Sequence, residues 1–326
     1  MAITRRAMAV AAAGALVPGG SPPRAQARWL GACPWAGQNP LARNLQRFLD
    51  DVQRATGGAL QIRLSTGGSL LTAAQIRPGL RRGQVQLGTF PLAIEADEPM
   101  LEVDAVPMLV QSLRSARQLT ALSEPFIEQR LQLDGLTLLY LAPWPPPGLF
   151  SSFAISSVSD LRGTRMRSMT HMGARMANLA GATAARVEPE ELAQAFATRI
   201  ANTMMASAAI GVDVEAWRFA RFFTPLDIVF PKDAVCVQTR AFEALPASQR
   251  KVLREAAAAA ADRAWAMAVS EQPVLQEVLS DHGITVRPPS AQLLAGLGQV
   301  GATMLDEWRA RAGEPGARLL EALGAG

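Results

Sequence analysis

Along residues 39–56, Leu45, Phe48, Leu49 and Val52 recur at helical spacing, and Gly57-Gly58 follows. That pattern predicts an amphipathic helix with a glycine stop. Residues 29–34 before it read as a short apolar strand, and residues 59–64 after it alternate as a second strand, closed by the turn Thr66-Gly67-Gly68. A weaker helical pattern spans 73–82, interrupted by Pro78-Gly79 and stopped by Gly83; residues 85–88 form a further strand. The first hundred residues therefore run β-α-β-α-β, the order of a parallel sheet with helices on its faces.

The alternation continues with a helix over 115–133 and a near-continuous apolar run over 135–141, as expected of a strand buried on both faces. The stretch A-P-W-P-P-P-G at 142–148 cannot lie in a helix or a central strand, so it predicts a stiff extended crossover. A second βα set follows: strand 164–169, helix 174–180 ended by Gly181, strand 184–187 and helix 189–198, with Pro189 suited to a first turn. Residues 234–238 read as another strand. The longest helical pattern covers 247–281, about 52 Å at 1.5 Å per residue, with a kink expected near 269–273 at Pro273. A helix of that length lies most easily across two domains. The fold class expected is α/β, two βα domains with a hinge and a long helix crossing both. Residues 28–144 plus 233–272 form the first domain and 145–232 plus 273–326 the second. Such an architecture fits a hinged receptor that closes on a ligand.

The amino terminus changes the picture of location. Arg5-Arg6, a short apolar segment and the small-x-small site Ala25-Gln26-Ala27 make a secretory signal, cleaved after Ala27. The arginine pair resembles a twin-arginine signal, and the general secretory route stays open. Removing residues 1–27 takes out three arginines and no acid, so the 32 basic residues fall to 29 against 28 acids. A mature chain so close to neutral argues against nucleic-acid binding. The longest apolar run, residues 7–17, is too short to span a bilayer. Export permits a Cys33–Cys236 disulfide, and their sequence positions leave it open. Those two cysteines with His171 and His282 give no metal-ligand spacing, so neither metal nor cofactor is expected.

Several segments, in order, carry a family resemblance: A-T-G-G-A-L-Q-I-R at 55–63, G-S-L-L at 68–71, G-Q-V-Q-L-G at 83–88 and V-D-A-V-P-M-L at 103–109. P-W-P-P-P-G-L at 143–149, S-D-L-R-G-T-R-M-R at 159–167 and E-L-A-Q-A-F-A-T at 191–198 follow. The last are Trp217, F-P-K at 230–232 and D-H-G-I-T-V at 281–286. Together they resemble the extracytoplasmic solute receptors of tripartite ATP-independent periplasmic (TRAP) transporters, dicarboxylate-receptor type. The resemblance implies a periplasmic-binding-protein type II-like fold, a small organic-acid ligand in the interdomain cleft, and delivery to membrane-embedded permease subunits.

In that family the arginine matching Arg167 grips the ligand carboxylate. The residues agree: Arg167 lies toward the carboxyl end of its strand, where open α/β sheets bind ligands, and its planar fork matches a carboxylate. Arg162 reads as a turn residue and Arg165 as a rim or structural one. Further candidates are Trp144 in the proline crossover, Thr89 and Phe90 in a strand-to-helix loop, Met169, Ser207 and Trp217. Core packing competes for Phe90 and Trp217, and a helix cap for Ser207. The chain departs from its relatives, which carry an acid at Thr89, aromatic and amide residues at Met169 and Thr170, a hydroxyl at Ala206, a glycine at Arg199, a tyrosine-aspartate pair at Thr224-Pro225 and a tryptophan at Val229. The wall around Arg167 is therefore expected to be more apolar, and the ligand a less polar acid such as a monocarboxylate. The alternatives are a module feeding a membrane sensor and an exported enzyme. No G-x-S-x-G, H-E-x-x-H, catalytic Cys-His spacing or dinucleotide fingerprint supports the enzyme.

Overall fold

The structure, a computed structural model, describes residues 27–94 and 98–324. The expected signal peptide lies outside the described residues except for its last residue, Ala27, which opens the first strand.

The first half of the chain forms β1 (Ala27–Ala32), α1 (Pro40–Ala55), β2 (Leu60–Ser65), α2 (Ala73–Arg81), β3 (Leu87–Pro91), α3 (Pro99–Glu102), α4 (Leu113–Leu133) and β4 (Leu136–Pro143). After the proline crossover come β5 (Gly148–Ser151), β6 (Arg165–Arg167), α5 (His171–Leu179), β7 (Thr183–Ala185), α6 (Leu192–Ala197), β8 (Thr203–Ala206), α7 (Ala208–Asp213) and β9 (Phe222–Pro225). The chain then returns through β10 (Lys232–Gln238), α8 (Thr239–Glu243), α9 (Ala247–Asp281), β11 (Thr285–Val286) and α10 (Ala291–Leu323).

Two sheets result. The first has the order β2-β1-β3-β10-β4 and the second β11-β9-β5-β8-β6-β7. In the first, β1 is parallel to β2 and β3, as the β-α-β-α-β pattern requires, whereas β10 runs antiparallel between β3 and β4. Every residue of β4 is buried, in keeping with its apolar run. In the second sheet β6 is parallel to β7 and β8, and β5 is antiparallel to β8 and β9. Four of the strands, β5, β8, β9 and β11, have no local pattern that marks them as such; each is four residues or fewer and is held by its partners.

The chain passes between the sheets at 143–148 and again at 225–232, and these two crossovers run side by side. Trp144 N donates to Pro231 O at 2.9 Å, and Leu226 N donates to Pro147 O at 3.0 Å. The pairs Lys232–Pro143 and Gly148–Pro225 close the registers at either end. A third connection is α9, 35 continuous residues as expected, with no break at Pro273. α2 likewise runs through Pro78 rather than stopping there.

β3 differs from expectation. It occupies Leu87–Pro91, not 85–88, because β10 pairs with it through Thr89, Phe90 and Pro91. A partner from so far along the chain leaves no local periodic signal. Thr89 and Phe90 are therefore strand residues, not loop residues.

Both cysteines are buried free thiols. Cys33 packs with Trp29, Trp35 and Leu45 on one face of the first sheet, while Cys236 packs with Ile76, Leu80 and Phe90 on the other. Cys236 pairs with Gly88, and Gly88 with Ala32, so the two cysteines sit two strands apart. Two strand spacings are about 9–10 Å, beyond the roughly 7 Å that a disulfide spans. Burial pushes the Cys33 thiol up to about 12 and raises that of Cys236 as well. A thiol-reactive dye is expected to label neither cysteine in the folded protein and both after denaturation, with no change of melting temperature on adding a reductant.

Candidate functional site

Between the two sheets lies a cavity of about 160 Å³. The first sheet and the crossovers contribute Trp35, Pro91, Trp144, Pro145, Pro147, Pro231 and Lys232. The second sheet and the segments and helices after β6 and β8 contribute Arg167, Ser207, Ile210 and five methionines, Met166, Met169, Met172, Met176 and Met205. Methionine is unbranched and polarizable, so this wall can adjust to an irregular apolar body.

Arg167 is the cation on the second-sheet side. It ends β6 and is 5% exposed, and its Nε donates to Val187 O at 3.0 Å. That bond fixes the plane of the guanidinium against the wall. Arg165, two residues earlier, is exposed, does not line the cavity, and donates Nη1 to Arg199 O at 2.6 Å. Arg199 has a φ of 58°, the left-handed region where a glycine sits without strain, in keeping with the glycine that the family resemblance implies there. Arg162 is an exposed turn residue.

On the first-sheet side the organising group is Asp233, which sequence reasoning did not single out. Its carboxylate is fully buried and accepts from Trp35 Nε1 at 2.6 Å, Trp144 Nε1 at 2.9 Å and Thr89 Oγ1 at 3.1 Å. The two indoles meet edge to face, with centroids 4.7 Å apart and planes at 86°. One carboxylate thus sets both tryptophan walls. Burial raises its pKa from 3.8 to about 6, the three donors oppose that rise, and the charge of Asp104 adds to it. Beside it, Lys232 Nζ lies 2.8 Å from Asp104 Oδ2, and both side chains are buried. Burial raises the Asp104 carboxyl and Lys232 holds it down. The pair joins the V-D-A and F-P-K segments, which lie far apart in sequence.

Of the residues expected at the site, Arg167, Trp144, Met169 and Ser207 line the cavity together. Ser207 also caps α7, accepting from Ile210 N at 3.4 Å. Thr89 stands behind the wall as a donor to Asp233. Phe90, the next residue, points to the opposite face of β3, as strand alternation demands, into the core with Ile76 and Leu80. Trp217 does not reach the cavity; it stacks on His282 at 4.0 Å. Among the described residues, no group of three His, Cys, Asp or Glu side chains is placed to hold a metal ion. Trp35, Asp233 and Lys232 went unnoticed because their roles depend on pairings across the sheet. The methionine spacing 166, 169, 172, 176 was a further local signal for the wall, beside the departures at Met169, Ala206 and Val229.

The family model for bacterial extracellular solute-binding proteins, family 7 (DctP), matches residues 32–311. The chain belongs to this family. It is similar to DctP7 of Bordetella pertussis, an extracytoplasmic solute receptor binding pyroglutamic acid. The two are 33% identical with a TM-score of 0.89, over 91% of this chain and 99% of that one. DctP6 of the same organism, also a receptor binding pyroglutamic acid, is 32% identical with a TM-score of 0.89, over 92% and 100% of the two chains. A marine metagenome TRAP solute-binding protein specific for pyroglutamate is 27% identical with a TM-score of 0.88, over 92% and 99%. The receptor has the two-domain periplasmic-binding-protein fold of these relatives. Among its described residues no helix is long and apolar enough to cross a membrane.

A carboxyl whose pKa is higher in the folded than in the unfolded chain adds stability as it takes up its proton. For Asp233 that gain appears as pH falls through about 6 and is complete below 3.8. Asp213, raised to about 6 by burial, acts in the same direction. Asp134 and Glu307, lowered by arginine partners, cost stability only below the usual carboxylate range. The melting temperature of the ligand-free receptor is therefore expected to rise between pH 7.5 and 5.5, and Asp233→Asn to flatten that rise.

Proposed function

We propose that this receptor captures a small cyclic monocarboxylic acid of the pyroglutamate type, with Arg167 gripping its carboxylate and Trp35, Trp144 and the methionines enclosing its ring. The observation that carries the reading is a buried guanidinium set in a wall of methionine, proline and tryptophan. A carboxylate there finds a bidentate partner in a water-poor space, a contact worth about 1.5–3 kcal/mol. A micromolar complex needs about 8 kcal/mol in all, so burial of the ligand body supplies most of the affinity. The three relatives that bind pyroglutamate support the choice of ring.

In this reading the domains 28–144 plus 233–272 and 145–232 plus 273–326 move about the paired crossovers. The ligand shifts them toward the closed form, and that form is the one that membrane-embedded TRAP permease subunits recognise. The protein works in the periplasm after loss of residues 1–27, and it performs no chemistry on its ligand.

Thermal unfolding with pyroglutamate tests the proposal. At a hundred times the dissociation constant the ligand adds about 2.7 kcal/mol, a shift of about 4 °C for a chain of this size. Arg167→Ala is expected to weaken binding by about tenfold to a hundredfold and to cut the shift at that concentration by about half or more. A well-folded wild-type protein that shifts with no small carboxylic acid sinks the proposal.

A further inference from the structure

Arg167 is not the only cation in the cavity wall. Lys232 begins β10 where the second crossover enters the first sheet, is 2% exposed and lines the same cavity. Its ammonium carries three N–H groups. Asp104 Oδ2, at 2.8 Å, occupies one direction, and beyond Asp104 no acceptor among the described residues takes a hydrogen bond from Nζ. Ala105 and Pro231, the chain neighbours of this pair that share the wall, have no side-chain acceptor to offer. A buried donor left unmade is costly. The cavity therefore presents polar N–H at a second point, on the other sheet from the β6 terminus that carries Arg167.

We propose that Lys232 donates to the second polar end of the bound acid, and that Asp104 restricts that end to a neutral acceptor such as a lactam or keto oxygen. The inference rests on the reading of the cleft as a monocarboxylate site and adds what that reading leaves open. The Lys232–Asp104 pair is neutral as a unit. A carboxylate approaching Nζ meets the Asp104 charge immediately behind it, and the carboxylate of Asp233 is the next residue along β10. A carbonyl oxygen accepts the same N–H without adding charge. The two ends of the ligand are thereby sorted: the anionic end goes to Arg167, whose fork suits a carboxylate, and the neutral acceptor goes to Lys232. Asp104 acts here as a specificity-determining residue through Lys232, without touching the ligand.

Titration calorimetry at pH 7 with three probes tests this. Pyroglutamate carries a ring oxygen and one carboxylate, cyclopentanecarboxylate lacks the oxygen, and glutarate replaces it with a second carboxylate. The wild-type receptor is expected to favour pyroglutamate over both. Asp104→Asn keeps the size and an acceptor for Nζ but removes the charge, and is expected to narrow the pyroglutamate-to-glutarate preference by about tenfold. The double replacement Asp104→Leu with Lys232→Met exchanges the pair for apolar side chains of similar volume, a change that buried ion pairs tolerate. It is expected to weaken pyroglutamate by about tenfold or more and leave cyclopentanecarboxylate within about threefold, so that the two converge. That second variant decides the matter if Asp104→Asn fails to fold. A double variant that retains the full wild-type preference for pyroglutamate over cyclopentanecarboxylate overturns the role of Lys232. An unchanged glutarate preference in folded Asp104→Asn overturns that of Asp104. A wild-type protein that binds none of the three acids fails earlier, at the reading of the cleft itself.

Discussion

The molecule depends on the return of β10 to the first sheet. This strand comes from beyond the second sheet in sequence, yet it pairs antiparallel with β3 on one side and β4 on the other. Without it the sheet would split into β2-β1-β3 and an isolated β4. Six of its seven residues are buried, so the insertion carries core packing as well as ladder hydrogen bonds. The same strand begins at the cleft. Its first two residues, Lys232 and Asp233, bring one cation and one carboxylate to the wall while its remainder anchors them. Strand alternation then divides their tasks: Asp233 reaches the indoles of Trp35 and Trp144, and Lys232 reaches Asp104.

This dependence explains which parts of the fold were legible in the sequence. α1 and α9 declare themselves by local periodicity, and the run before the prolines declares β4, because each buries its apolar residues by its own pattern. The strands of the second sheet are too short to carry a period. β5 is held between β8 and β9, and no four-residue window announces that. β3 was misplaced for the same reason, since the pairing that lengthens it comes from β10. The error carried into the site: Thr89, placed in a loop, acts behind the wall rather than in it, whereas for Phe90 the competing reading of core packing is the one the structure has.

The site was legible where one residue type could do one thing in one place. Thirty arginines in the chain make any single guanidinium weak evidence. Arg167 is set apart by burial, because Arg162 and Arg165 in the same segment remain exposed. Burial of a strand residue follows from its neighbours, here Ala185 and Met204. The apolar wall was foreseen from the departures at Met169, Ala206 and Val229, all of which line the cavity. The polar group opposite was not, because Asp233 looks in sequence like an ordinary acid after a lysine. Only the convergence of three donors from β3, the loop after β1 and the crossover identifies it.

The cavity and the closure of the cleft meet on α7. Its amino end is capped by Ser207 at the cavity wall, and its carboxyl end is Asp213. An acid in that position opposes the helix dipole, and burial raises its pKa to about 6. Asn39 offsets part of this cost. Its Oδ1 accepts from Leu41 N at 3.0 Å to cap α1, which orients its Nδ2 toward Asp213 Oδ2 at 2.6 Å. α1 packs against the first sheet and α7 follows a strand of the second, so this bond ties the two lobes at the edge of the cleft. In the proposed opening, parting the lobes would break it and return Asp213 to water, relieving its burial. The bond therefore draws the lobes together only weakly by itself. With the cavity wall at one end of this short helix and a marginal interlobe bond at the other, the proposed balance between open and closed forms is left to whatever the cavity holds.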